Sequence, residues 1–364
     1  MMAYQGLKTL GRAVSAALVL GLALGLAPSA RAESVQEKLD ALGKLTGAER
    51  QTFLEAKAIE DGKIVVYAAD DPNVMQAWSK AFHEKYPGIE VEYVRMNTRD
   101  MMQRVVAESK AGRPVASLLG GVTATELEYL KSEGLLASYF SPEAADFDPA
   151  YKDAGGLYTA HWVMPEVNAY NTGVITADKV PTTIEELITS PLGSRIGRLQ
   201  SGGRWLAGIA AVSGKDAAID AAKKLALLKP QLFKSNSDLT NALTSGQIAV
   251  ASDMHAGNVE IAKSRGAPVD YVVPEPLFLL PAYTVFLKDA PQPYAAALNY
   301  DWRLARDGGQ ALYAEFHQSG PRKDTDYAFA SVVAKAKTVV PLTSEVLAAI
   351  GDYDKIFRSE VIGQ

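Results

Sequence analysis

Residues 63–94 read KIVVYAADDPNVMQAWSKAFHEKYPGIEVEYV, and this stretch decides the fold. Lys63-Ile64-Val65-Val66-Tyr67 is a short apolar run of the kind found in a strand covered on both faces. Asp71-Pro72 opens a helix: the carboxylate suits an N-cap, and Pro at the first helical position gives up no hydrogen bond. Val74, Trp78, Ala81, Phe82 and Tyr86 then recur at helical spacing, after which Ile89, Val91 and Tyr93 alternate as a second strand. Strand, helix, strand in this order predicts a parallel pair with a crossover helix.

Working outward, the same grammar continues. Upstream, Val35, Leu39, Leu42, Leu45, Phe53, Leu54 and Ala58 are spaced as one or two helices, which Gly62 interrupts. Downstream, a helix is predicted from about Thr98, burying Met102, Val105 and Val106, and a third strand over 115–119. Thr123-Ala124-Thr125-Glu126 is a capping box for a helix stopping at Gly134. An extended segment over 162–172 precedes helices near 182–188, 204–212 and 216–228 and a strand over 248–251. In the run 272–287, Pro274, Pro276 and Pro281 forbid helix, and from Pro293 onward the pattern is mostly helical. The class is α/β with a mostly parallel sheet.

At 364 residues the chain is long enough for two domains, and no repeat or linker separates its halves, so the two are expected to interweave. Zero Cys excludes thiolate catalysis, thiolate zinc sites and disulfides. A pI near 5.6 without a basic run argues against a nucleic-acid partner. The first 32 residues hold Lys8, Arg12 and Arg31 but no acid; 13–30 is uncharged, and Ala30-Arg31-Ala32 fits a cleavable secretory signal ending at residue 32. Its removal leaves 42 acidic against 34 basic residues, an exported chain of net charge −8.

Several segments in order carry a resemblance: residues 63–94 above, EYLKSEGLLASY (128–139), NAYNTGVI (168–175), VPTTIEELITSPLGSRIGRL (180–199) and ALTSGQIAVASD (242–253), with LTGAERQTFLEAKAIEDGKIVVY (45–67) as a helical preface. Together they resemble the type 2 periplasmic solute-binding proteins of ABC importers, in the branch of ferric-iron, thiamine and aminoethylphosphonate binders. The resemblance implies a two-lobed Venus flytrap with two crossover strands, near 168–171 and 281–285. Lobe one is then 62–168 plus 284–345 and lobe two 169–283, with a helical extension at 33–61 and a C-terminal tail at 346–364. It also implies a monomeric periplasmic receptor without cofactor, whose partners are a small solute and an inner-membrane ABC permease.

Open α/β sheets bind ligands at the carboxyl ends of their strands, where helix N-termini present free amides. That rule selects Asp70 and Asp71, Asn97, Thr98 and Arg99, Gly121 and Thr123, Ser201-Gly202-Gly203-Arg204, and Asp253 with His255. Asp71, Thr98 and Thr123 have a second reading as helix caps, and the Gly pairs as plain turns. Trp162, Tyr170 and Tyr283, near the predicted hinge, are expected to wall the cleft. Arg99 and Arg204, from opposite lobes, favour an anion between them. In the ferric branch two adjacent tyrosines follow the segment matching SGQIAVAS; here Met254 and His255 stand there, a poor donor pair for ferric iron. The histidines show no i, i+4 spacing, so no metal site is expected, and His83, His161 and His317 read as structural or surface residues.

The expected function is capture of a small anionic solute, of phosphonate, phosphate-ester or carboxylate type. Alternatives are a ferric-iron or ferric-chelate receptor, a ligand sensor subunit, or a secreted enzyme on the same fold. Against an enzyme stand the missing Cys and the absence of Gly-x-Ser-x-Gly, His-Glu-x-x-His and phosphate-loop motifs, so no catalytic residue is expected.

Overall fold

The computed structural model describes residues 33–363 except 317, 319 and 326–329; the expected leader, residues 1–32, and His317 lie outside the described residues. From Ser34 onward the chain forms one unit. Helices α1 (Val35–Leu42) and α2 (Gly47–Asp61) precede strand β1 (Lys63–Ala68). Then follow α3 (Pro72–Lys85), β2 (Glu90–Arg95), α4 (Thr98–Lys110), β3 (Leu118–Val122), α5 (Ala124–Ser132) and short β4 (Leu136–Ala137). The long β5 (Tyr158–Asn171) leads to α6 (Ile184–Ile188), β6 (Ile196–Leu199), α7 (Gly203–Ser213), α8 (Lys215–Leu227), β7 (Gln231–Phe233), α9 (Asn236–Thr244), β8 (Val250–His255), α10 (Ala256–Ser264) and β9 (Val269–Val272). A second long strand, β10 (Leu277–Leu287), returns to α11 (Pro293–Leu304), α12 (Ala311–Glu315), α13 (Ala330–Val333), β11 (Val339–Pro341) and α14 (Ile350–Phe357).

The strands order as β2-β1-β3-β10-β5-β8-β6-β7. In the first half β1 pairs in parallel with β2 and β3; in the second, β6 pairs in parallel with β7 and β8. Each parallel trio is flanked by one antiparallel strand, β10 beside β3 and β5 beside β8, and these two run antiparallel to each other from Phe278↔Glu166 to Val285↔Tyr158. The result is a mixed α/β fold in which both long strands belong to the middle of the sheet.

Burial explains the pattern of the opening stretch. On β1, Val65 and Tyr67 enter one core and Ile64 and Val66 the other, so a strand packed on both faces needs an unbroken apolar run. The second core takes Trp78 and Phe82 from α3, Leu39, Leu42, Leu54 and Ala58 from α1 and α2, and much of α11. The helical preface is therefore part of the first lobe's core.

Three expectations need correction. Strand β3 begins at Leu118, not at 115, because Val115 is 40% exposed and the ladder instead continues through Gly120, which pairs with Ala68. Gly120 is required there: a Cβ would stand 2.5 Å from Arg303 Nη2 and 2.8 Å from Asp70 Oδ2. Strand β6 was implied only by the strand end read at Ser201–Arg204, and β7 was not anticipated, its three residues being too few to show alternation. Finally, residues 346–364 are no loose tail, since α14 packs on α7 with Phe357 fully buried.

Candidate functional site

The carboxyl ends of both parallel trios open onto one cleft of about 820 Å³. From the first half, its wall is Ala69–Val74 after β1, Arg95 and Thr98 around the end of β2, and Gly121 and Thr123 at the end of β3. From the second half it is Arg204 at the start of α7, Asn236 and Ser237 at the start of α9, and His255, Gly257 and Asn258 at the start of α10. Trp162, Val163 and Met164 of β5 and Leu280 and Ala282 of β10 join the two sides. Five helices (α3, α4, α5, α9 and α10) thus turn their N-termini to one space, and α7 contributes the Arg204 side chain. Each such terminus has free N–H groups and a partial positive charge. Arg95, Arg204 and Arg265 add full charges, set against Asp70, Asp71 and Glu315.

Local caps hold this geometry. Asp71 accepts from Asn73 N at 2.8 Å, and Thr123 and Glu126 close a capping box. The cap of α4 is Asn97, which accepts from Asp100 N at 2.9 Å, so Thr98 is the first helical residue and not the cap. Beneath the first wall, Asp70 is 3% exposed and engages Trp162 Nε1 at 2.9 Å, His161 Nε2 at 3.3 Å and Arg303 Nη2 at 3.4 Å. Burial alone raises its pKa, but His161, Arg303 and the Trp162 hydrogen bond outweigh burial and hold it below the usual carboxylate range. His161 is pushed down to about 4 by burial, with Arg303 adding to the effect and Asp70 opposing it. His161 is thus a neutral structural ligand of Asp70, and Trp162 presents a pinned indole to the cleft.

The second wall has a counterpart. Glu166 lies 3.3 Å from Arg204 Nη2, while Asp253, at φ 54, lies 2.5 Å from Arg198 Nη2. Ser201, Arg204 and Trp205 line a small void with Glu166, Arg198 and Asp253.

Of the candidate residues, Asp70, Asp71, Thr98, Gly121, Thr123, Trp162, Arg204 and His255 line the cleft. Others do not. Arg99 is exposed and off the cleft; Arg95, at the strand end itself, takes its place. Tyr170 packs with Ile175, Val180, Ala249 and Val250, and Tyr283 meets Tyr158 edge to face with ring centroids 4.8 Å apart, so both are core residues. Ser201 and Asp253 sit behind the wall. Gly202 and Gly203 are covered by α14: Gly203 N donates to Asp354 Oδ1 at 2.8 Å, and a Cβ at Gly202 would overlap the Phe357 ring. The anion expected on these amides is supplied by the chain itself. Gly202→Ala should therefore cost about 1–3 kcal/mol through overpacking, read as a lower thermal midpoint and greater protease sensitivity of the C-terminal segment. An unchanged midpoint would show that α14 yields without cost.

Sequence reasoning missed Arg95, Asn236, Ser237, Asn258, Arg265 and the buried Glu166. The strand-end rule, applied one residue earlier, gives Arg95; the α9 residues needed the unseen β7.

A site of this kind on this fold suits a protein that binds a small solute. Residues 77–321 match the family of bacterial extracellular solute-binding proteins, and the chain belongs to that family. It is 34% identical over 94 residues to a probable ABC transporter periplasmic-binding protein, y4fP, of Sinorhizobium fredii (strain NBRC 101917 / NGR234). That match spans 26% of this chain and about a quarter (25%) of the relative's length. The fold is similar to iron-bound HitA from Pseudomonas aeruginosa (TM-score 0.71, 18% identity, 82% of this chain and 99% of that one). It is also similar to AfuA from Actinobacillus pleuropneumoniae with fructose-6-phosphate bound (TM-score 0.67, 19% identity, 83% and 99%).

Proposed function

We propose that this chain is the receptor of an ABC importer, which captures a small anionic solute of phosphonate, phosphate-ester or carboxylate type and delivers it to an inner-membrane permease. The observation that carries this reading is the convergence of five helix N-termini with Arg95, Arg204 and Arg265 on one cleft. Amide donors fixed by helices need no reorganisation to meet an anion, and guanidinium groups add bidentate contacts. Trp162 offers a face for the uncharged part of such a solute. The lobes, 62–168 with 284–345 and 169–283, close by bending along β5 and β10, and α14 travels with the second. Export by the leader, a periplasmic location, and work as a monomer without cofactor or catalysis belong to the same reading.

A ferric receptor is the second reading, favoured by the likeness to an iron-bound protein. Among the described residues, however, the cleft lining holds no tyrosine, and no three His, Asp or Glu side chains group as metal ligands. Hard oxygen donors for ferric iron are thus few.

A thermal-shift screen of the exported chain against phosphonates, phosphate esters, carboxylates, thiamine and ferric citrate tests both readings. A ligand at 100 times its Kd adds about 2.7 kcal/mol of stability. Arg204→Ala and Arg95→Ala should each weaken the active anion by about 10–100-fold, the worth of a charge-assisted hydrogen bond. If ferric iron alone shifts the transition and both variants keep that shift, the anion reading is wrong.

A further inference from the structure

Behind the second wall of the cleft, four charged side chains and one histidine share a buried space. Glu166, on β5, is 2% exposed, and its Oε1 makes no hydrogen bond. Arg204 from α7 stands 3.3 Å from it, and His255 Nε2 from β8 3.9 Å. Deeper, Arg198 from β6 pairs with Asp253 from β8 at 2.5 Å and lies over the rings of both Trp205 and Phe357, 4.5 and 5.0 Å from their centroids. Two carboxylates thus balance two guanidiniums. The arginines differ in freedom: the Arg198 side chain is 2% exposed, whereas that of Arg204 is 26% exposed and lines the cleft.

We propose that Glu166 is a positioning residue that holds Arg204 against the cleft wall in the empty protein, yields it to a bound anion, and takes up a proton from solvent as it does so. The inference rests on the anionic-solute reading above and follows from the charge count. Once an anion takes Arg204, the two carboxylates share Arg198 alone, and Arg198 is committed to Asp253 by the shorter contact. An ionised Glu166 would then be a buried charge without a partner, and the neutral carboxyl is the lower state. Its new O–H has an acceptor in reach, because burial and Arg204 keep His255 neutral, pushed down to about 3, and His255 Nε2 is itself unpartnered. The structure already leans this way: burial pushes Glu166 up to about 7 against the opposing pull of Arg204, with Asp253 raising it further and Arg198 lowering it. Asp253 is raised by burial as well, against Arg198 and Arg204, so the proton belongs to the carboxylate pair and geometry places it on Glu166.

The probe is glycerol 3-phosphate, whose second ionisation lies near pH 6, so it is a dianion throughout the range used. Titration calorimetry at pH 8 in buffers of different ionisation enthalpy should show uptake of close to one proton per ligand bound, and affinity should fall by up to about tenfold per pH unit above pH 7.5. Glu166→Gln should abolish the uptake, flatten affinity between pH 7 and 9, and bind more tightly than the native chain at pH 8.5. In the unliganded protein the same variant should abolish the decline in stability that Glu166 imposes on the native chain as pH rises from 4.5 to about 7, measured by urea unfolding. Binding without proton uptake by the native chain overturns this inference and leaves the anion reading intact. Failure of phosphate esters, phosphonates and carboxylates alike to bind overturns both.

Discussion

Replacing Arg50 with Met is expected to destabilise the protein by about 3–5 kcal/mol, the usual cost of leaving one partner of a buried ion pair alone. Arg50 sits on α2, is 7% exposed, and reaches Asp301 Oδ2 at 2.8 Å and the Tyr139 hydroxyl at 2.6 Å. The Tyr139 hydroxyl donates in turn to Asp301 Oδ1 at 2.8 Å. Burial already raises the pKa of Asp301, and Arg50 is the largest influence holding it down. Without Arg50 the carboxyl rises further. A raised acid favours folding while protonated and loses that contribution as pH rises through its folded pKa, so the deficit should be larger at pH 8 than at pH 5. Urea unfolding of Arg50→Met at both pH values measures this, and Arg50→Met with Asp301→Leu should recover much of the loss. A single variant as stable as the native chain would mean that the helical preface is not part of the first lobe's core.

The second large effect is expected at Asp70. Asp70→Ala leaves Arg303 buried without its counter-charge, with the Thr284 hydroxyl at 3.2 Å and the Trp78 ring 4.3 Å from the guanidinium carbon as neutral partners. A loss of about 3–5 kcal/mol follows from the same uncompensated-charge argument, together with a mobile Trp162 that has lost its indole partner. Asp70→Asn keeps the shape and should fall between the native chain and Asp70→Ala. Because Asp70 is spent on three internal donors, Asp70→Asn should weaken anion binding less than Arg204→Ala does. The acid limb has a definite sign. His161 and His255 are held neutral below their ordinary value near 6.5, at about 4 and 3, so unfolding takes up protons and stability falls as pH drops from 6.5 towards 4. Below that, Asp70 itself protonates and its ion pair is lost. Glu166 works in the opposite direction over pH 4.5–7 and offsets part of the decline.

How far these features are legible in the sequence depends on the range of the interaction that creates them. The β1–α3 unit is readable because strand burial on both faces, the Asp71 cap and the Trp78–Phe82 face are each set within a few residues. The position of the cleft is readable for the same reason, since strand ends and helix starts are local events. Which side chain faces it is decided by phase: Arg95 ends β2, whereas Arg99 is already one residue into α4 and turned outward. The buried polar networks leave no local trace. Asp70 meets Arg303 across 233 positions and Gly203 meets Asp354 across 151, so the spacing of neither residue betrays its partner. His161 looks like any histidine until Asp70, Trp78 and Arg303 surround it.

That 151-residue reach has a consequence for the order of assembly. The second lobe's Arg198 lies over the rings of both Trp205 and Phe357, and the first turn of α7 is closed by Asp354. A chain made N-terminus first can build β6, β8 and α7 early, but it cannot seal them until α14 arrives. Loop closure over such a distance delays the reward of contact. The second lobe should therefore finish folding last, and until then the Arg198–Asp253 pair behind the cleft wall lacks its cover.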